Sequence, residues 1–225
     1  MPMPQHHFFN PLMFIPEITY TLIVFIICLL IYLKTKEAYN LTKHKGIMYF
    51  RDAFLLFGIA YLIRFLFEII QFSTMTFFDA FIPRRFIFPI VLLIMGYLSS
   101  IGILYLVFST IWKKINNKVM IIIGHIIALT LSIIVFLTQS HTLMLYLQII
   151  LLLIAVVTSM FSHQKKKKWF SQAKVLYLLI FIFWIMNMWI ISPRWMFAPE
   201  IKSTLQIISL TVFIIIYYKV VKWLK

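Results

Sequence analysis

KVMIIIGHIIALTLSIIVFLTQSHTLMLYLQIILLLIAVVTSMFSHQKKKK, residues 118–168, decides the fold. From Val119 to Gln164 the stretch contains no Asp, Glu, Lys or Arg. A helix needs about 20 apolar residues to cross the hydrocarbon core of a bilayer. Val119–Thr138 and Thr142–Phe161 each meet that length, and four consecutive lysines, Lys165 to Lys168, follow the second. Two membrane spans in direct succession are the reading this pattern supports.

Five further stretches match outward from this pair: Pro16–Lys34, Ile47–Gln71, Phe86–Trp112, Val175–Ser192 and Ser203–Lys222. The sixth in chain order is the shortest and the second the most polar. The segments between them carry charge or helix breakers, as in Lys34 to Lys45, Phe81-Ile82-Pro83-Arg84-Arg85, Lys113 to Lys118 and Ser192-Pro193-Arg194. Proline has no amide hydrogen to continue a helix. The expected fold is an all-α integral membrane bundle of seven transmembrane helices, one domain over residues 1–225 with no soluble domain.

Composition agrees. The chain is 63% hydrophobic and 12% charged, whereas a soluble chain averages about 45–50% and about 25%. A bilayer relieves such a chain of the need to cover its core with polar surface. The net charge of +15 does not indicate a nucleic-acid partner, because the basic residues stand in short runs between apolar stretches, where topology signals belong. The single cysteine, Cys28, excludes an intrachain disulfide. Residues Met1 to Pro16 lack Lys and Arg and a small-residue cleavage site, which points to a retained first helix.

Lys and Arg also orient the chain. With the N-terminus outside, the inner segments hold Lys34, Lys36, Lys43, Lys45, Arg51, Lys113, Lys114, Lys118, Lys165 to Lys168, Lys174, Lys219, Lys222 and Lys225, which is 16 of the 21. The outer segments hold Arg84, Arg85, Arg194 and Lys202, and Arg64 lies within a span. Such a bias over short loops favours a cell-membrane protein with an outer N-terminus and a cytoplasmic C-terminus. Trp112, Trp169, Trp189, Trp195 and Trp223 fall near span ends, as interfacial tryptophans do, and Trp184 lies deeper. In a background lacking Cys28, a cysteine placed at Thr138 is expected to label from outside and one placed at Gln164 not to. The reverse pattern inverts the orientation.

An ionisable side chain within a span marks a candidate functional site. Tyr61, Arg64 and Glu68 are spaced i, i+3, i+7 and share one face of the second helix. Phe50, Phe54 and Phe57 continue that stripe inward. Arg64 and Glu68 are also placed to form an i,i+4 ion pair, a purely structural arrangement. Glu17, Gln148, Asn187 and Gln206 come out at a similar depth in the outer half. Trp184 and Asn187 share a face of the sixth helix. Gln206, Ser209, Phe213 and Tyr217 form a stripe on the seventh helix, and Glu17, Thr21 and Cys28 one on the first. Each could serve as interhelical hydrogen-bond glue, and their common level suggests an outward-facing polar pocket lined by Tyr61, Arg64, Glu68, Gln148, Trp184, Asn187 and Gln206.

Nearer the inner side stand Ser99, Ser100 and His125, with Asp52 beyond them. These are the parts of a nucleophilic triad. No oxyanion-hole motif accompanies them, and packing serines with a hydrogen-bonded histidine account for the pattern. No catalytic residue is assigned. His6, His7 and His141 do not make a metal site, and no cofactor is implied. Lys165, Lys166, Lys167 and Lys168, followed by Trp169 and Phe170, suit contact with anionic lipid headgroups on the cytoplasmic side, at about 1 kcal/mol per basic residue.

Seven spans with these short loops resemble the plan of microbial rhodopsins and of G-protein-coupled receptors in helix count, size and orientation. The resemblance stops there. Ser203 to Tyr218 holds no lysine for a retinal Schiff base, the third span ends in Ser109-Thr110-Ile111-Trp112-Lys113-Lys114 without an acidic-Arg-Tyr motif, and the seventh lacks Asn-Pro-x-x-Tyr. The three-plus-one-plus-three repeat of small seven-helix sugar transporters is not evident, and Pro89 is the one proline well inside a span. The sequence therefore favours a receptor- or sensor-like protein that binds a small ligand and signals to a membrane or cytoplasmic partner. A small transporter using the same pocket comes second, a non-catalytic scaffold or assembly subunit third, and an intramembrane enzyme last.

Overall fold

The computed structural model describes residues 14–77, 84–113, 118–161, 169–191 and 199–224. The candidate residues His6, His7 and Lys165 to Lys168 lie outside them. Seven helices follow in chain order: α1 (Phe14–Thr42), α2 (Lys45–Phe77), α3 (Arg84–Ile111), α4 (Lys118–Thr138), α5 (His141–Phe161), α6 (Trp169–Ile191) and α7 (Pro199–Leu224). Six are long and apolar enough to cross a membrane, and α6 contributes the apolar stretch Val175–Asn187. The protein is an all-α, multi-pass membrane protein.

The helices outrun the apolar stretches that announce them. The basic connection expected from Lys34 to Lys45 is helical through Thr42, leaving Lys43 and His44 between α1 and α2. Hydropathy marks where a helix leaves hydrocarbon, and the backbone stays helical while local contacts support it. Here Lys34 Nζ pairs with Glu37 Oε2 at 3.1 Å across i,i+3, and Thr35 Oγ1 donates to Ile31 O at 2.7 Å. The helix stops where Lys43 turns left-handed, with φ 52°, and its amide donates to Tyr39 O. At the start of α7, Pro199 occupies the first turn, where a missing amide hydrogen costs nothing, and Glu200 complements the helix dipole.

Packing departs from chain order. α1 contacts α2, α2 contacts α3, α3 contacts α5 as well as α4, and α5, α6, α7 and α1 complete a closed ring. α4 stands outside, against α3 and the edge of α5. Its buried residues, Gly124, Ala128, Ser132 and Val135, make a small-residue seam, which lets two backbones approach closely. Ser132 Oγ donates to Leu93 O at 3.0 Å across that seam. A Cβ added at Gly124 would lie 2.9 Å from the Phe108 ring. The opposite face, with Ile122, Ile126, Leu129, Ile133 and Leu137, is exposed, as a lipid-facing surface should be.

Aromatic rings fill the ring of helices. Phe54 packs on Phe57 and on Phe213, with centroids 5.9 and 6.4 Å apart, and Phe183 stacks on Phe213 at 4.4 Å. Phe57 meets Trp184 edge-on at 5.7 Å. This layer links α2, α6 and α7 and forms the floor of the polar region above it.

Candidate functional site

Above the aromatic layer, polar side chains of four helices converge on a cavity of about 30 Å³. Tyr61 and Arg64 come from α2, Ser99 from α3, Gln148 from α5, and Trp184 and Asn187 from α6, with Ala60, Met95, Met144 and Leu145 completing the wall. Five of the seven residues expected to line a pocket are therefore brought together. Glu68 is not a wall residue but holds one, since Arg64 Nε donates to Glu68 Oε1 at 2.8 Å. Gln206 is buried on α7, but it does not border the cavity.

Each polar group faces inward because lipid offers it no partner. Glu68 is satisfied at both oxygens: Oε1 by Arg64 and Oε2 by Thr21 Oγ1 of α1 at 2.9 Å. The guanidinium has five N–H donors, and among the described residues its one hydrogen bond is the one from Nε. Arg64 is also a wall residue of the cavity. Glu17, one turn before Thr21, is close enough to act on Arg64 through space.

Asn187 joins three helices. Its Oδ1 accepts from Tyr61 and from Tyr20, each at 2.9 Å, while its Nδ2 donates to Phe183 O within α6. With the Tyr20 hydrogen committed to Asn187, the Ser209 hydroxyl of α7 donates to Tyr20 at 2.9 Å. Sequence reasoning passed over Tyr20. It stands on the same face as Val24 and Cys28, and a tyrosine inside the first span on a buried stripe is the available signal.

Gln148 is fully buried. Its Nε2 donates to Ser99 Oγ, which in turn donates to Met95 O. Among the described residues its Oε1 has no hydrogen-bond partner. Turning the amide over would strand Nε2 instead, so one polar end stays unmatched either way. A buried unmatched acceptor costs about 1–3 kcal/mol. Gln148 borders the cavity.

Ser99 belongs to this site, not to the inner cluster in which sequence depth had placed it. Depth was counted from span ends, and the helices are staggered. Arg64 stands 13 residues from the end of α2 and Ser99 15 from the start of α3, against seven for Gln148 in α5. At 1.5 Å per residue, α2 and α3 project about 10 Å further at this end than α5. The remaining triad parts are engaged elsewhere. His125 Nδ1 bonds the Tyr97 hydroxyl at 2.8 Å and its Nε2 lies 3.4 Å from that of Tyr105. Asp52 Oδ1 accepts from Arg51 at 2.8 Å. Among the described residues, no group of three or more His, Cys, Asp or Glu could hold a metal ion.

No family model matches the chain, and no solved structure matches it. Over 217 residues the chain is 31% identical to an uncharacterized protein of Archaeoglobus fulgidus, an alignment that covers 94% of each.

Proposed function

We propose, for a chain that belongs to the same family as the Archaeoglobus fulgidus protein, a receptor- or sensor-like function in which the cavity binds a small polar ligand. One observation carries the reading: Arg64, anchored through Nε by Glu68, shares a cavity wall with a buried Gln148 carbonyl that lacks a partner among the described residues. An acceptor on the ligand would satisfy Arg64, and a donor toward Gln148, on the ligand or on a water that enters with it, would satisfy the carbonyl. The site faces outward if the charge bias of the loops sets the orientation.

The Asn187 junction supplies a route for the signal. A ligand competing for Tyr61 or Asn187 loosens α6 from α1 and α2, since the same Oδ1 serves both tyrosines. The lysine run at 165–168 immediately precedes α6 in the chain. Movement of α6 would thus reach basic residues suited to anionic headgroups or a cytoplasmic partner.

The test is a thermal-shift screen of small polar compounds on the detergent-solubilised protein, repeated on Arg64→Gln. Loss of a charge-assisted hydrogen bond, about 1.5–3 kcal/mol, is expected to weaken any ligand tenfold or more. A ligand held equally by both proteins places its site elsewhere. A small transporter is the second reading: Trp184 of the cavity wall packs on Phe57, a contact that would have to part for passage. Ligand-dependent flux into proteoliposomes would select it.

A further inference from the structure

The Arg64–Glu68 pair leaves the cavity wall electrically neutral. Adding an anion to a buried neutral site leaves a net charge in low dielectric, which is costly. The surroundings of Glu68 offer a way round this. Thr21 Oγ1 lies 2.9 Å from Glu68 Oε2, 3.1 Å from Glu17 O and 3.0 Å from Ile18 O. A hydroxyl has one hydrogen for these three acceptors. With Glu68 ionised, Thr21 gives it to the carboxylate. With Glu68 protonated, Thr21 can give it to a carbonyl of its own helix and accept from the new carboxyl O–H. The same heavy-atom geometry serves both states.

Resting on the ligand-site reading above, we infer that the cavity binds a small monoanion of the carboxylate class together with one proton, which Glu68 takes up. The proton comes from bulk solution and remains on the carboxyl oxygen facing Thr21. Arg64, relieved of its counter-charge, turns its forked donors to the anion's paired oxygens, the geometry in which guanidinium and carboxylate bind most strongly. One positive group matches one negative charge, and a cavity this small admits few heavy atoms. Among the described residues, the charged and titratable groups near the pair are Tyr61 on α2 and Glu17 and Tyr20 on α1, and Glu17 is the other carboxylate acting on Arg64.

Formate and nitrate are the probes, with formamide as a neutral analogue. Nitrate stays ionised throughout, so any proton taken up on its binding enters the protein. Equilibrium dialysis with radiolabelled formate, displaced by nitrate, measures binding. A pH indicator in weakly buffered solution measures protons. Expected are about one proton taken up per anion bound, and an affinity that rises as pH falls. Glu68→Gln, which stands for the protonated acid, binds formate without proton uptake, and Glu17→Gln retains the uptake. Nitrate binding with no proton uptake by the unmodified protein overturns the inference even if Glu68→Gln fails to fold. So does uptake lost in Glu17→Gln and kept in Glu68→Gln. Binding of formamide alone, or of none of the three while the thermal-shift screen yields another ligand, overturns the inference and leaves the ligand site standing. Failure of every compound in both assays removes the ligand site as well.

Discussion

Arg64→Ala and Glu68→Ala are each expected to destabilise the protein strongly, and the double replacement much less than their sum. Truncating one side of a buried ion pair costs about 3–5 kcal/mol in soluble proteins. Snorkelling and water defects lower that figure in a bilayer. The two single effects should be unequal. With Arg64 removed, Glu68 keeps the Thr21 hydroxyl, whereas with Glu68 removed the guanidinium loses the one hydrogen bond it makes among the described residues. Glu68→Ala is therefore the more damaging. A thermal-stability double-mutant cycle in detergent measures the coupling, and strict additivity would show that the pair does not interact. The same four proteins test the site. A double variant that keeps its stability but loses ligand binding or transport places the pair in the site. One that retains both makes the pair a structural element only.

Asn187→Leu is the second large effect expected. The substitution keeps the side-chain volume close but takes the acceptor from two buried hydroxyls. Tyr20 retains Ser209; Tyr61 loses the acceptor it donates to and is left with the neighbouring Tyr20 hydroxyl. An unsatisfied buried donor costs about 1–3 kcal/mol, while interhelical hydrogen bonds in membranes have measured about 0.6 and at most about 1.7 kcal/mol each. Two such bonds point to a loss of about 2 kcal/mol. Adding Tyr61→Phe removes the stranded hydroxyl and should recover part of that loss. If Asn187→Leu unfolds at the temperature of the parent protein, the junction does not hold α6 to its neighbours.

The spans were legible because the bilayer imposes a length and a polarity on every crossing segment. Residues 118–168 alone show both, and no tertiary contact is needed to read them. The same logic made the inward-facing polar groups legible. Hydrocarbon offers Tyr61, Arg64, Gln148 and Asn187 no hydrogen-bond partner, so a spanning helix must turn them toward other helices. The i,i+4 spacing of Arg64 and Glu68 announced their ion pair, which forms at 2.8 Å, since it depends on one helix only.

Three things were decided by tertiary structure. Ring order is one: nothing in the α4 sequence shows that α3 contacts α5 as well as α4, because lipid and protein core are equally apolar and a run of Ile and Leu suits either. The Gly124, Ala128 and Ser132 seam acquires meaning only beside Phe108 and Leu93. Level is another, since the stagger of α2 and α3 brings Ser99 to Gln148 and away from His125, and residue counts within single helices carry no information about offsets between them. The third is partnership. Sequence places Asn187, Tyr20 and Ser209 on inward faces, but long-range contacts alone determine that one amide oxygen serves two tyrosines from different helices, and that the carbonyl of Gln148 is left without a partner among the described residues at the cavity wall.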